Sequence, residues 1–490
     1  MDRRNVLKLT AVAGAAGALT LGGVTSARAG GAAGSDSDEV RRITGRLPAV
    51  APDYVYLPVE VPRGVREIAV SYTYDRPAVP AGVPGNACDI GVFDERGTVL
   101  GGAGFRGWSG GARTEFSISA ERATPGYLAG PVRPGTWHVV LGPYTVAPQG
   151  MAYEVTVTLR YGPPGTPVAP VFPPQRARGR GRAWYRGDGH LHSVHSDGRR
   201  TPAEIAAAAR AAGLDWIVTT EHNTTSGHGA WQGLWGDDLL VLTGEEVTTR
   251  NGHVLALGTD PGVFVDWRYR ARDGVLPRFA RTVRRAGGLV VPAHPFATCP
   301  ACNWKFGYGE ADAVEVWNGP WNADDETAVA AWDAMLAASP RDWLPAMGNS
   351  DAHREPQPVG LPQTVVLADD LSRAAVLSAL RAGRSWIAES SAVRLSFGAT
   401  GSRGAHAGIG GRLTDPEATV RLEAGGVPAG CTASLITDQG PAVTVPLPAD
   451  GRVEWRTAPS RAAYVRAEVR RGDGTMVALT NPVFLENERS

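Results

Sequence analysis

The sequence predicts a (β/α) barrel that carries the chemistry, with a β-sandwich on either side of it. Three observations lead there. The chain has 490 residues, which is too long for one ordinary core and suggests about three domains. Its middle third alternates strand-like and helix-like segments, whereas the flanking parts show short period-two runs broken by Gly/Pro turns. The residues able to bind metal collect in the middle third, most of them just after an expected strand.

In chain order, residues 1–29 read as an export leader. Arg3-Arg4-Asn5-Val6-Leu7-Lys8 resembles the twin-arginine pattern, a Gly/Ala-rich apolar run follows, and Ala27-Arg28-Ala29 fits an A-x-A cleavage site. The expected partner is therefore the twin-arginine (Tat) machinery, and the expected location is extracellular or in the cell envelope. The apolar run is too short and glycine-rich for a stable membrane anchor. Residues 30–50 are expected to be flexible. Residues 51–162 carry alternating runs such as Glu67-Ile-Ala-Val-Ser-Tyr-Thr-Tyr74 and Tyr153-Glu-Val-Thr-Val-Thr-Leu159, the pattern of an antiparallel sandwich. It holds no cluster of titratable residues, so a structural or accessory role is expected. Residues 163–182 form a Pro/Gly/Arg linker.

The barrel is assigned to residues 183–392. Thr201-Pro202-Ala-Glu204 starts a helix with a capping hydroxyl, a first-turn proline and an early acid, and Gly213 ends it. Strands are expected at Trp216–Thr220, Leu239–Thr243, His253–Gly258, Leu289–Ala293, Ala313–Trp317 and Trp343–Met347, and helices at Leu276–Ala286 and Asp324–Ala338. Residues 393–490 return to period-two alternation and are expected to form an Ig-like sandwich. Cys88 and Cys431 are isolated and read as buried small residues, whereas Cys299-Pro-Ala-Cys302 is read as a local disulfide.

Lys+Arg and Asp+Glu are both 49, a zero formal charge that excludes nucleic-acid binding by bulk electrostatics. The chemistry begins at Asp188-Gly-His-Leu-His-Ser-Val-His-Ser-Asp-Gly198. His190 and His192 are two apart, so an extended backbone points both imidazoles to one side. Asp197 follows in a turn. Eight of the ten histidines (190, 192, 195, 222, 228, 253, 294 and 353) fall between 190 and 353, beside Asp and Glu, as a metal site requires.

The set His190-x-His192, Asp197 in Ser-Asp-Gly, Glu221-His222, Gly244-x-Glu246, His253, His294-Pro295 and Asp351-x-His353 resembles the polymerase-and-histidinol-phosphatase (PHP) domain, over roughly residues 184–390. The resemblance implies a distorted seven-stranded (β/α)7, TIM-like barrel with two or three divalent ions. It implies His190, His192, Glu246 and Asp351 on one ion, Glu246, His253 and His294 on a second, and Asp197, His222 and His353 on a third. Glu221 stands where many relatives carry Asp. Thr220-Glu-His-Asn-Thr224, Val314-Glu-Val-Trp-Asn-Gly319 and Gly348-Asn-Ser-Asp-Ala-His-Arg354 are further similar to the carbaryl-hydrolase-like (CehA/McbA) branch. A carbamylated-lysine amidohydrolase needs a strand-end lysine, and beyond the leader the only lysine is Lys305. A metallo-β-lactamase site needs His-x-His-x-Asp-His, and residues 190–195 read His-Leu-His-Ser-Val-His.

Carboxylate and imidazole donors suit Zn, Mn or Fe. Water between two such ions is acidified toward neutral pH and becomes a hydroxide nucleophile. The expected substrate is a small phosphoester, cleaved by a phosphatase or phosphodiesterase reaction. A carboxyl or carbamate ester is the alternative, and an extracellular polymer-binding protein with a secondary barrel a further one. Arg354 is expected to steady an anionic transition state, and His195 or His228 to protonate the leaving group.

Overall fold

The computed structural model describes residues 21–28 and 38–487. The twin-arginine pattern and Ala29 lie outside the described residues. Leu21–Arg28 is a strand that pairs antiparallel with Glu39–Leu47. Loss of a leader through residue 29 would therefore make Glu39–Leu47 an edge strand.

Glu39–Leu47 lies in the stretch expected to be flexible, and that expectation is corrected. Ile43 and Leu47 are buried in the core of the N-terminal region, and the charged residues Glu39, Arg41, Arg42 and Arg46 around them disguise the strand. This region consists of two antiparallel sheets. One joins Glu39–Leu47, Met151–Tyr161, Val65–Tyr74 and Glu115–Ser119, and the other joins Val55–Val61, Gly135–Thr145, Ala87–Phe93 and Phe105–Gly110. Leu57, Ile68, Val139, Leu141, Val157 and Leu159 fill the space between them. The second sheet also turns an aromatic face outward. Phe93, Phe105 and Trp108 pack on Val247, Val254, Trp267, Phe279 and Val290 of the central region. Arg270 adds two hydrogen bonds of 2.6 Å to the Asp53 carboxylate. An interface filled this way behaves as core, so the two regions are held together as one body.

In the central region the helix Pro202–Ala211 begins as expected, with a reciprocal capping box between Thr201 and Glu204. Leu240–Thr243, Trp216–Thr219 and Ala183–Asp188 run parallel. Gln363–Ala368 and Ser385–Ala388 extend this sheet antiparallel. Glu245–Thr249, Gly252–Leu257 and Leu289–Ala293 form an antiparallel trio, and Val314–Asn318 pairs parallel with Ala346–Asn349. Isolated bridges at His222–Glu246 and Leu191–Ala352 stitch these pieces together around one end. The result is a mixed sheet system consistent with a distorted barrel. The expected strict alternation fails at residues 250–252, where the chain reverses in a tight turn with no room for a crossover helix. Gly252 makes that turn at φ +110°, and a Cβ there would meet the Trp304 backbone at 2.5 Å.

The C-terminal region is not a separately hinged unit. Trp386, Ile387 and Ala388 pair with Thr480, Leu479 and Ala478, so one sheet runs from the centre into it. Its core includes Phe397, Val420, Leu435 and Val469. Cys299 and Cys302 form a disulfide, while Cys88 and Cys431 are buried free thiols. Among the described residues no helix is long and apolar enough to cross a membrane.

Candidate metal centre

Strand ends deliver the site. His190 and His192 follow Ala183–Asp188, His222 follows Trp216–Thr219, His294 follows Leu289–Ala293, and Asp351 and His353 follow Ala346–Asn349. Glu246 sits inside Glu245–Thr249, and His253 is the second residue of the strand that returns beside it. His294 and Asp351 adopt left-handed backbone at φ 28° and 48°. Such conformations cost on the order of 1–3 kcal/mol for residues other than glycine, and here they turn both side chains inward.

All nine residues expected as ligands fall into three touching groups: His190, His192, Glu246 and Asp351; Glu246, His253 and His294; and His192, Asp197, His222 and His353. In the first group His190 Nε2, His192 Nε2, Glu246 Oε2 and Asp351 Oδ1 are buried without a hydrogen-bond partner. Each imidazole nitrogen lies 3.2 Å from Glu246 Oε2, and they lie 3.3 and 3.1 Å from Asp351 Oδ1. Leaving such atoms unpaired costs roughly 1–3 kcal/mol apiece. Tetrahedral N/O ligands at about 2.0–2.1 Å from a divalent ion lie about 3.3 Å from one another. The spacing therefore fits a divalent cation. Glu246 Oε1 serves the second group, 2.8 Å from His253 Nδ1 and 3.1 Å from His294 Nε2. In the third group His222 Nε2 and His353 Nε2 lie 3.4 and 3.3 Å from Asp197 Oδ1. These groups can hold one or more divalent ions, and Glu246 links the first two.

Residues that the sequence did not single out orient these donors. Glu315, fully buried, accepts from His190 Nδ1 at 3.1 Å, which leaves Nε2 free to face the centre. It also accepts from the His294 backbone N–H and from the Asn318 and Asn349 side-chain amides at 2.8–2.9 Å. Asp188 accepts from the backbone N–H groups of His190 and Ser350 and so ties two ligand loops together. His353 Nδ1 donates to the Asp351 carbonyl at 2.8 Å, and His222 Nδ1 lies 2.6 Å from Thr248 Oγ1. Substituting Glu315→Gln is expected to weaken metal affinity about 10- to 100-fold with the fold intact. Competition with a coloured chelator reads this directly, and unchanged affinity would remove Glu315 from the site.

Burial disfavours charge here, yet the opposed partners win. Against that burial, Asp351, Glu315 and Glu246 hold the His190 imidazole well above its usual range, and Glu246 and Asp197 push His222 up to about 10. In the same way, despite burial, the imidazoles hold Glu246 and Asp351 well below the usual carboxylate range.

Neighbouring acids separate by direction. Glu245 points away, accepting from the Val265 backbone N–H at 2.8 Å, and burial pushes it well above its ordinary value. Glu221 also turns from the centre and accepts from the Ser193 and Ser196 hydroxyls and the Ser193 backbone N–H. Exchanging Asp for Glu before His222 thus leaves the donor set untouched.

The two expected proton donors both lie outside the lining of the cavity beside the centre. His228 is buried, with Nε2 2.8 Å from the Gly244 carbonyl and Nδ1 accepting from the Gly262 N–H at 2.9 Å. Both ring nitrogens are used by backbone, and burial lowers the ring to about 4. His195 Nδ1 lies 3.0 Å from the Ser226 hydroxyl, outside the cavity beside the centre. Arg354 does line that cavity, and its guanidinium has no hydrogen bond or ion pair among the described residues. The same holds for Arg199, which nothing in the sequence marks out.

The cavity has a volume of about 590 Å³ and is bounded on one side by Asp197, His222, His253 and His353. The N-terminal region supplies another part of its wall, through Tyr54, Asp89, Trp108, Tyr144 and the turn Ser109–Ala112. That region is therefore more than the structural accessory its sequence suggests.

No family model matches the chain, and no curated protein matches it. Among solved structures it is similar to a two-domain protein from Bacteroides vulgatus described as containing a predicted PHP-like metal-dependent phosphoesterase. The identity is 16% and the TM-score 0.36, over 64% of this chain and 99% of that one. It is also similar to an amidohydrolase from Chromobacterium violaceum, with 19% identity and a TM-score of 0.23 over 36% of this chain and 89% of that one. Likenesses this distant carry no argument about the chemistry.

Proposed function

We propose that the chain is an exported, metal-dependent phosphoester hydrolase of the PHP kind, its distorted (β/α)7 barrel flanked by two sandwich domains. The observation that carries this reading is the set of four buried, partnerless donor atoms, His190 Nε2, His192 Nε2, Glu246 Oε2 and Asp351 Oδ1, converging beside an open cavity. Divalent ions held by the three groups supply Lewis acidity and an acidified water. The chain's own residues do the rest. Glu246 holds the first two groups at a fixed separation, and Glu315 and Asp188 keep the donor loops in register. Arg199 and Arg354 present free guanidinium groups at the edge of the cavity, where they draw in and orient an anionic ester. A dianionic phosphoryl group matches this accumulation of positive charge better than a neutral carboxyl or carbamate ester does.

Export rests on Arg3-Arg4 and Ala27-Arg28-Ala29, and the N-terminal sequence of protein recovered from the envelope or medium tests it. Activity is tested with purified protein of measured metal content against aryl phosphates, phosphodiesters, aryl carboxyl esters and aryl carbamates. Turnover of a phosphate series is expected. Turnover of carbamates or carboxyl esters alone would replace the phosphoester reading, and inactivity on all of them would end the hydrolase reading.

A further inference from the structure

The cavity carries two groups of opposite charge with no hydrogen-bond or ion-pair partner for their charged ends among the described residues, one on the N-terminal wall and one on the central region beside it. Arg250 rises from the end of the strand Glu245–Thr249, and its guanidinium lies over the rings of Tyr144 and Tyr54, 4.5 and 5.9 Å from their centroids. Those contacts fix its direction, while its Nη2 is buried without a hydrogen-bond partner. Asp89, on the strand Ala87–Phe93, reaches the same cavity beside Gly111, and its carboxylate has no hydrogen bond or ion pair among the described residues. No salt bridge joins the two, although the charge on Arg250 acts on the Asp89 carboxylate. Neither residue belongs to the metal centre, yet both share its cavity. The surface that holds them cannot drift, because Trp108 packs on Trp267 at 4.7 Å between centroids and the Tyr144 hydroxyl donates to the Pro300 carbonyl.

We propose that this wall is the recognition site for the leaving group, and that it takes a neutral polyhydroxylated group, a sugar or cyclitol ring. The two charges admit a zwitterion or a group whose hydroxyls both donate and accept, and the neutral polar side chains around them favour the second. An anionic group would satisfy Arg250 but be repelled by Asp89, and a cationic group would do the reverse. A hydroxyl both donates and accepts, so neighbouring hydroxyls on one ring satisfy both residues. Ser109, Asn223, Thr248 and Gln357 add polar partners around the same space, and Tyr54 offers a flat apolar surface. The volume suits a ligand of sugar-phosphate size. The inference rests on the hydrolase reading for the position of the scissile bond, which would lie between this wall and the donors Asp197, His222 and His353.

The test compares the metal-loaded full chain with its Asp89→Asn and Arg250→Gln variants, after melting curves establish that each variant is folded. The substrates are glucose 1-phosphate, myo-inositol 1-phosphate, phenyl phosphate and the amino-acid ester O-phosphoserine. Wild-type kcat/KM is expected to favour the two ring phosphates over phenyl phosphate by about tenfold or more, mostly through KM. Each variant is expected to cut that preference by about tenfold. Calorimetry of free glucose and free myo-inositol runs in parallel and needs no turnover. Binding to the wild type, weakened about fivefold or more in either variant, supports the site even if no ester is cleaved, an outcome that would sink only the hydrolase reading. Equal losses on all substrates, a preference for O-phosphoserine, or failure of both polyols to bind would each overturn the proposal.

Discussion

Glu246→Gln is expected to strip metal from two of the three donor groups and to lower kcat/KM by about 10³-fold or more, roughly 4 kcal/mol of transition-state stabilisation. The size of the effect follows from geometry. Oε2 faces His190 and His192 and lies 2.9 Å from His222 Nδ1, Oε1 faces His253 and His294, and the side chain is fully buried. An amide can present only one oxygen, so whichever way it turns, one group meets N–H protons instead of a lone pair. Glu245→Gln is the control. It sits one residue away and is equally buried, but it faces the Val265 backbone, and burial already favours its protonated form. It should keep its metal and most of its activity. Elemental analysis and kinetics on the two variants decide the matter, and similar losses in both would show that Glu246 matters only as part of the strand.

The donors were legible in the sequence because local rules place them. Two-residue spacing aims His190 and His192 together, and short apolar strands announce the positions where His222, His294 and Asp351 emerge. What local rules cannot show is which distant side chains turn to face those positions. Glu315 lies inside an apolar-looking strand, Val314–Asn318, and nothing nearby marks its carboxylate as the partner of His190, 125 residues away. Asp89 and Arg250 meet only because the second N-terminal sheet docks on the centre through Phe93, Phe105 and Trp108, a contact with no periodic signature. The same blindness applies to His195 and His228. Nothing in the sequence shows that backbone groups at Gly244 and Gly262 claim His228 or that Ser226 holds His195 Nδ1. Separate domains were expected on either side of the barrel, yet the pairing of Trp386–Ala388 with Ala478–Thr480 fuses the last of them to the centre.

Metal loading is expected to release protons, and the thermal stabilisation it gives should grow as pH rises from about 6 to 9. The metal-free centre keeps several acids and imidazoles out of water, where burial alone would disfavour every charge. The carboxylates overcome this penalty and raise His190, His222, His294 and His353, with His222 at about 10. His253 goes the other way, lowered by burial to about 4, and has no proton to give. An imidazolium cannot donate to a metal, so binding must displace up to four protons, one from each raised ring. The sign of the linkage is fixed by these directions. Raised imidazoles stabilise the metal-free fold fully below the unfolded value of about 6.5, and that stabilisation is lost as pH climbs through the folded values. Despite burial, Glu246, Asp351 and Asp197 are held low by the imidazoles, so their contribution is present above about 4 and is lost in acid. The metal-free chain should therefore melt highest between roughly pH 4 and 6.5 and weaken on the alkaline side. There the metals compete with fewer protons and bind more tightly. A concentration 1,000 times Kd adds about 4 kcal/mol, so the difference in Tm between loaded and chelated protein widens with pH. Calorimetric titration of the chelated protein with Zn or Mn in buffers of different ionisation enthalpy counts the protons. A buffer-independent enthalpy, together with a Tm difference flat across pH, would mean that the imidazoles are already neutral and that the carboxylates do not compensate one another through them.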